Sequence, residues 1–470
     1  MLSASFRDCF GDERLDKRGN KFIRDLLVKG THSIRQISGS SSDQKGVYRF
    51  LKNGRTTEAL IVKSMGGRCG AAVKGKVVLS IQDTTEINLY KHRGRIKKDG
   101  TVGVTNAPKN GLGFMVHPSL VVDAATCMPY GYCDVHIWNR SAERKAKRPG
   151  DRFKYQKLPI RKKESYRWLS SCEAAKKNLR EASAVVIVQD REGDIYEQFA
   201  TVPDEQTHLL IRAKTDRSLP GGGKLFSTLS EGGPAGTYSI AIEGDKRKGQ
   251  LKRTAQLEVR FREVTIKNTS RTAKDAVAAL TLWCVEAREI NAPAEVKQPV
   301  CWRLLTTVPV TCLSEALTIT EWYSCRWLIE EVFRLVKKEG FDIESSELQS
   351  GAAIRKLCLL ILDTVIQIFQ LRIALDEPEE EGMAAGVCFT QTEMQCMEMQ
   401  SKKMEGKTEK LKNPFRPSSL KYATWVIARL GGWKGYASER KPGTTTLWIG
   451  LEKFYDIYNG WQLVADVSTR

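Results

Sequence analysis

The sequence predicts an α/β chain with a helical head over residues 1–70, a mixed core over 71–375 carrying a β insertion at about 217–310, and a terminal region over 376–470. Three patterns carry that expectation. Apolar residues recur at helical spacing up to about residue 70, at period two from about 71, and at helical spacing again after about 313. Two short β-branched runs lead into an aspartate each: Val77, Val78, Leu79 and Ile81 before Asp83, and Val185, Val186, Ile187 and Val188 before Asp190. Between Leu209 and Pro309 short strand candidates dominate, at Gly236–Ile242, Thr254–Ile266, Val277–Ala287 and Trp302–Thr307.

In the head, Asp12–Lys29 places Phe22, Ile23, Leu26 and Leu27 at helix spacing, and a second short segment, Gln44–Leu51, ends at Lys52-Asn53-Gly54. Arg14, Lys17, Arg18, Lys21, Arg24, Lys45, Arg49 and Lys52 make this region a candidate DNA-contacting head, with a plain helical cap on the core as the competing reading. The core opens on a strand at Lys76–Asp83, with Glu86–Tyr90 and Gly113–Asp123 as neighbours. Residues 140–167 hold twelve Lys and Arg against three acids, a run that repels itself unless a polyanion neutralises it. A helix over Glu164–Ala182 and a strand over Ala184–Gln189 follow. After the insertion the pattern predicts one helix over Ser314–Lys338 and a strongly apolar one over Ala353–Leu375. Beyond the acidic break at Asp376-Glu-Pro-Glu-Glu-Glu-Gly, the Met- and Lys-rich stretch Glu393–Lys410 reads as a mobile linker. The end, with Trp448, Phe454, Tyr455, Tyr458 and Trp461, reads either as a small element for self-association or as a lid on the core.

Charge narrows the partner. Lys and Arg number 75 against 55 Asp and Glu, a formal net charge of +20, and the natural counterpart of such a field is an extended polyanion. The twelve cysteines form no CxxC pair, which gives a zinc module little support and suits buried thiols in a reducing compartment. No apolar run approaches the roughly 18 to 20 residues of a membrane span, and the N-terminus has no signal-like stretch. The expectation is a soluble, cytoplasmic protein.

The chemistry concentrates in Tyr323, Arg326, Glu330 and Lys337, spaced by three, four and seven residues. On a helix turning about 100° per residue they fall in one narrow sector, and Glu331 does not. Arg326 suits bidentate capture of a phosphate oxygen pair and Lys337 a point charge two turns on. The bland alternative is that the aromatics of this segment are core filler and its cations form surface pairs. Together with Asp83 and Asp190, Glu330 completes three carboxylates on two strand ends and one helix. Such a set answers the needs of two divalent cations in phosphoryl transfer, and oxygen donors suit Mg²⁺. Other acids are decoys: Asp123, which reads as an ordinary strand end, and Glu192 and Asp194 close to Asp190 in sequence, of which Asp194 lies four residues on and, if helical, faces the same way and supports Asp190 from behind.

These residues sit in a wider resemblance. Tyr323, Arg326, Glu330 and Lys337 match the Y-(2)-R-(3)-E-(6)-K signature of bacterial insertion-sequence transposases of the DDE type, the subgroup related to the cut-and-paste kanamycin-transposon enzyme. Further stretches resemble that family: Gly11-Asp-Glu-Arg-Leu, Tyr48-Arg-Phe-Leu, Gln82-Asp-Thr-Thr-Glu, Gly111-Leu-Gly-Phe with His117, Lys163-Glu-Ser-Tyr-Arg-Trp, Asp190-Arg-Glu-Gly-Asp-Ile-Tyr, Ile211-Arg-Ala, Trp302-Arg-Leu-Leu-Thr and Leu430-Gly-Gly-Trp. The resemblance implies an RNase H-like catalytic core with the β insertion between the second and third acids, and helical N-terminal and C-terminal domains. It implies Asp83, Asp190 and Glu330 as catalytic metal ligands for two Mg²⁺ ions, with Mn²⁺ able to substitute. It implies DNA contacts from Arg212, Trp302, Tyr323, Arg326 and Lys337, with Trp302 accommodating a flipped base; residue type alone reads Trp302 as a β-core aromatic. The implied partners are double-stranded DNA with terminal inverted repeats, target DNA, and a second copy of the chain, with the terminal region in dimerisation. One departure stands in the head, where Ser40-Ser-Ser-Asp43 replaces the Asp-Trp-Ala usual before Tyr-Arg-Phe. Two other functions compete with transposition: a catalytically inactive DNA-binding derivative acting as a repressor of transposition, and a structure-selective nuclease on the same core.

Overall fold

The computed structural model describes residues 5–96, 100–106, 111–140, 154–155, 157–242, 244, 251–268, 277–338, 340–376, 382–436 and 439–468. Residues 141–153 and 156, half of the basic run at 140–167, therefore lie outside the described residues.

Four helices build the head: α1 (Glu13–Lys29), α2 (Ile34–Ile37), α3 (Ser41–Lys52) and α4 (Glu58–Ala72). Three of them start on a side-chain cap, Asp12 accepting from the Arg14 amide, Ser40 from Asp43 and Thr57 from Leu60. Gly30, at φ 58°, ends α1 in the left-handed region, where a residue with a Cβ is strained. Phe22, Ile23, Leu26 and Leu27 are buried, as their spacing predicts. The head is fastened to the core by Lys356, whose ammonium donates to the carbonyls of Leu51 and Asn53, each at 3.0 Å, and so closes the end of α3.

Among the described residues eleven strands form one mixed sheet: β1 (Val77–Gln82), β2 (Thr85–Asn88), β3 (Gly103–Val104), β4 (Leu112–Asp123), β5 (Pro129–Trp138), β6 (Ala184–Gln189), β7 (Thr207–Arg212), β8 (Gly236–Ile242), β9 (Arg253–Lys267), β10 (Ala279–Ile290) and β11 (Cys301–Thr306). Their order is β2-β4-β1-β6-β7-β11-β10-β9-β8, with β3 and β5 also paired to β4. β1, β6 and β7 are parallel; the rest are antiparallel. The four strands expected between Leu209 and Pro309 are all present, and β11 joins them to the edge of β7 through Leu304 opposite Arg212.

Side-chain alternation along the central strands splits the core in two. Val78, Val185 and Ile187 face α5 (Tyr166–Asn178), where Cys172 and Ala175 are buried. Leu79, Ile81, Val186 and Val188 face the other helical layer, which includes α8 (Leu313–Ser324), α9 (Trp327–Lys337) and α10 (Gly351–Ala374). Two short helices, α6 (Tyr196–Thr201) and α7 (Leu225–Ser230), bury Tyr196, Phe199, Leu225 and Leu229 in the same cluster as α5. This is an RNase H-like mixed α/β core with flanking helical regions.

Four sequence expectations need correcting. The helix predicted over Ser314–Lys338 is two helices, interrupted at Cys325 and Arg326. Amides of Arg326, Leu328 and Ile329 there bond three residues back rather than four, to Tyr323, Cys325 and Arg326. Glu393–Lys410 is no linker over most of its length: α11 (Gln391–Met404) opens on a reciprocal capping box between Thr390 and Glu393 and buries Cys396 and Met397. α10 is long and apolar enough to cross a membrane, yet 94% of its apolar window is buried inside the protein, where it forms the central core helix. Finally, Cys127 and Cys325 form a disulfide, while Cys69, Cys133, Cys172, Cys284, Cys358, Cys388 and Cys396 are the expected buried thiols.

The chain ends in α12 (Leu420–Leu430) and α13 (Thr444–Ser468). Phe454, Tyr455 and Tyr458 are buried against the chain's own core, Arg24 of α1 stands over the Tyr455 ring at 5.9 Å, and Lys29 pairs with Glu452 at 2.7 Å. These aromatics thus pack against the chain's own core.

Candidate active site

The sheet register places the first two acids. Gln82 of β1 and Gln189 of β6 are paired in parallel register, and the Gln189 amide donates to Gln82 Oε1 at 2.8 Å on the α5 face. Both glutamines are fully buried. The next residue of each strand must turn to the opposite face, so Asp83 and Asp190 emerge side by side toward α8 and α9, on strands about 4.8 Å apart. Gly193 is needed just beyond Asp190, because a Cβ there would collide with the Gln189 side chain.

The interrupted helix supplies the rest. Tyr323, at the end of α8, donates its hydroxyl to Asp190 Oδ1 at 3.2 Å. Arg326, in the break, donates to Asp83 Oδ2 at 3.2 Å and to Glu330 Oε1 at 2.5 Å. One guanidinium thus ties the helix-borne acid to a strand-borne one. Trp302 of β11 packs edge-on against the Tyr323 ring, with centroids 5.6 Å apart. Its neighbourhood is therefore the site, although sequence alone read it as a β-core aromatic. Arg212 donates to the Cys301 carbonyl at 3.0 Å, one residue before Trp302. Lys337 lies at the far end of α9 among Glu344 and Glu86; burial lowers its ammonium below the ordinary value and those acids pull the other way.

Burial dominates the electrostatics of the site. Burial pushes the Asp83 carboxyl up to about 6, with Asp190 and Glu330 adding to the rise and the Thr84 amide and Arg326 opposing it. Burial together with Asp190 pushes the Tyr323 phenol up to about 12, which keeps it a proton donor. At Arg326 burial works against the charge, but Tyr323, Glu330, Asp190 and Asp83 outweigh it and hold the guanidinium above its ordinary value.

Among the described residues no three His, Cys, Asp or Glu side chains already converge in metal-holding geometry. The donor set nonetheless fits a hard divalent cation. Its oxygens are carboxylates on one face, the Asp83 carboxyl is largely buried, and the Glu330 side chain is 52% exposed and paired with Arg326.

The competing acids are engaged elsewhere. Asp194 follows a 3-10 turn, Arg191–Gly193, rather than a helix; it is paired with Arg217 and accepts from the Lys214 amide at 2.8 Å. Asp123 caps the β4–β5 turn, accepting from the amides of Ala125 and Thr126 and from the Tyr130 hydroxyl, as a strand-end residue should. Glu331 pairs with Arg334 and Arg372, away from the site. Sequence reasoning missed the residues behind the acids, Thr84, His117 and Arg167. All three lie in stretches quoted above for their resemblance, but nothing in residue type alone distinguishes them.

Comparison with known proteins adds two family matches. Residues 3–56 match the model for a transposase DNA-binding domain, and residues 172–362 match that for a transposase DDE domain. The second contains Asp190, Arg212, Trp302, Tyr323, Arg326, Glu330 and Lys337, whereas Asp83 and α1–α4 lie outside it. Among solved structures the chain is similar to a piggyBac transposase in a synaptic complex with hairpin DNA, at 8% identity and a TM-score of 0.37 over 77% of this chain and 67% of that one. A likeness that distant carries no argument about the site.

Proposed function

From the premise that the chain is a member of the DDE-type transposase family, we propose that it is a cut-and-paste DNA transposase of the YREK subgroup, acting by phosphodiester hydrolysis, hairpin formation at the element's ends and strand transfer into target DNA. The observation that carries the proposal is the pair of aspartates on in-register parallel strand ends, with Glu330 drawn toward them by Arg326. Asp83, Asp190 and Glu330 would hold two Mg²⁺ ions, or Mn²⁺ in their place, which supply activation of the attacking oxygen and stabilisation of the leaving one.

The chain's own residues do the remainder. Arg326 ties Asp83 to Glu330, and its planar fork would suit a phosphate oxygen pair. Tyr323 keeps its proton and orients Asp190 through it. Trp302, fixed against Tyr323 and half-buried, offers a ring on which a displaced base can stack. Arg212 steadies the strand bearing Trp302, and Lys337 adds positive charge along the same helix. The head binds the inverted repeat, and two copies bring the paired ends together in the bacterial cytoplasm.

The test is an end-labelled duplex made from the DNA flanking the gene, incubated with the protein with and without Mg²⁺. A nick at the repeat boundary, then a hairpin, then joining of the free 3′ end to a second DNA supports the reading. Metal-independent binding without cleavage supports a repressor instead, and hydrolysis without joining supports a nuclease.

A further inference from the structure

The two strand-borne acids are braced from the side of the sheet away from Arg326. Asp83 is followed by Thr84, whose amide donates to Asp83 Oδ1 at 2.7 Å and so fixes the carboxylate's rotation. The Thr84 hydroxyl is itself held twice. It accepts from Arg167 Nε at 3.0 Å and lies 2.8 Å from Nδ1 of His117, a fully buried ring packed edge-on against Trp168.

Arg167 then reaches the other acid's turn. Its Nη2 donates to Glu192 Oε2 at 2.6 Å, and Glu192 stands in the turn that begins when the Gly193 amide bonds back to the Asp190 carbonyl at 2.8 Å. A third bond, from Nη1 to the Glu164 carbonyl at 3.2 Å, holds the guanidinium to the start of α5. The flat faces of Trp138 and Trp168 lie 5.5 and 5.2 Å from its centre. Its side chain is only 10% exposed. A cation so covered is badly placed to meet a DNA phosphate, and it touches neither acid. What it does touch is the residue after Asp83 and the second residue after Asp190.

We propose that Arg167 is a positioning residue that sets the separation and orientation of Asp83 and Asp190 by clamping the segment following each strand, and so governs how well the pair holds divalent cations. The inference rests on the three-acid reading of the site given above. A planar fork is needed because the two partners lie in different directions from one side chain; a lysine can satisfy Thr84 or Glu192 but not both. Loosening the clamp lets the two carboxylates drift, which weakens ion binding while leaving the DNA-gripping face unaltered.

The experiment uses the full-length chain and Mn²⁺ alone as the probe, read by electron paramagnetic resonance in the absence of DNA, beside cleavage titrated with Mn²⁺ and end-duplex binding in EDTA over a salt series. For Arg167→Gln the half-saturating Mn²⁺ concentration is expected to rise about tenfold by both readouts, with cleavage largely restored at saturating metal, and with the end affinity and its salt slope unchanged. Arg167→Lys should fall between Gln and the natural residue, and Thr84→Val and Glu192→Gln should each reproduce part of the shift, which keeps the test available if the Gln variant folds poorly. Unaltered Mn²⁺ affinity in Arg167→Gln and Glu192→Gln overturns the clamp. A salt slope lowered by about one in Arg167→Gln also overturns it, since that marks a phosphate contact. Mn²⁺ binding that survives Asp83→Asn unchanged overturns the three-acid site itself, and the clamp with it.

Discussion

Asp83 and Asp190 leave neighbouring parallel strands whose preceding residues are hydrogen-bonded to each other, whereas Glu330 stands half-exposed on a helix that restarts only after a two-residue break and is held toward Asp83 by one arginine. A sheet fixes position through backbone register, which side chains cannot easily alter. A helix after a tightened turn fixes direction more loosely. The site therefore combines a rigid pair with an adjustable third member, a sensible division where ions must enter and leave.

The largest effect expected from this contrast is on cleavage. Asp83→Ala, Asp190→Ala and Glu330→Ala should each reduce cleavage at least about a thousandfold while leaving metal-free binding of the end duplex intact. Conservative changes separate the two kinds of support. Asp83→Glu and Asp190→Glu should be nearly as damaging as alanine, because register leaves no slack for an added methylene, while Glu330→Asp should keep measurable activity. Single-turnover cleavage rates decide it, and equal loss in all three conservative variants would erase the distinction.

The same contrast governs how the site reads in sequence. The strand ends were legible because β-branched runs with an abrupt polar ending advertise both the strand and its edge, and register then follows from pairing. The stripe Tyr323, Arg326, Glu330 was legible in membership but not in geometry. Helical periodicity over Ser314–Lys338 is nearly continuous, and the shift to three-residue bonding at Arg326 depends on packing, including the Cys127–Cys325 link across a separation of 198 residues. Asp194 was hard to place for the opposite reason, since its spacing implies a shared face with Asp190 only if the residues between are helical, and they form a 3-10 turn. The positioning network of Thr84, His117 and Arg167 draws on residues far apart in the chain, so no local pattern announces it.

A second way to sharpen the comparison is stability in the absence of metal. The folded state raises the Asp83 carboxyl from 3.8 to about 6, so between those values the folded chain binds more protons than the unfolded one. Stability contributed by the neutral carboxyl is thus lost as pH rises through that window. Asp83→Asn should therefore be more stable than the natural chain above pH 6, by at most about 3 kcal/mol, and the advantage should vanish below about pH 4. Glu330→Gln, at an exposed position, should change stability by less than about 0.5 kcal/mol. Urea unfolding in EDTA across pH 4 to 7 measures both, and an Asp83→Asn variant less stable than the natural chain at pH 7 would contradict the cost of burying a charged carboxylate at the end of β1.

Trp302 tests whether the adjustable side of the site also handles the displaced base. Its replacement by alanine should slow hairpin formation more than the first nick, by the equivalent of roughly 1 to 3 kcal/mol, the usual worth of one base stacked on an aromatic ring. Equal slowing of both steps would mean that the ring matters only through its packing on Tyr323.

The smallest effect belongs to Glu331, which differs from Glu330 by one position and by everything that surrounds it. Its carboxylate pairs with Arg334 on its own helix and with Arg372 of α10 at 3.3 Å, and that arginine also lies 4.5 Å from the centre of the Phe369 ring. Removing the carboxylate leaves Arg372 packed on apolar and aromatic surface with one fewer anion, a change expected to cost no more than about 1 kcal/mol. Glu331→Ala should lower the melting temperature slightly and leave nicking, hairpin formation and end binding within about twofold of the natural chain. If cleavage fell as far as in Glu330→Ala, α9 would have to rotate during the reaction to present Glu331, and the helix-borne acid would be adjustable about its helix axis as well as through Arg326.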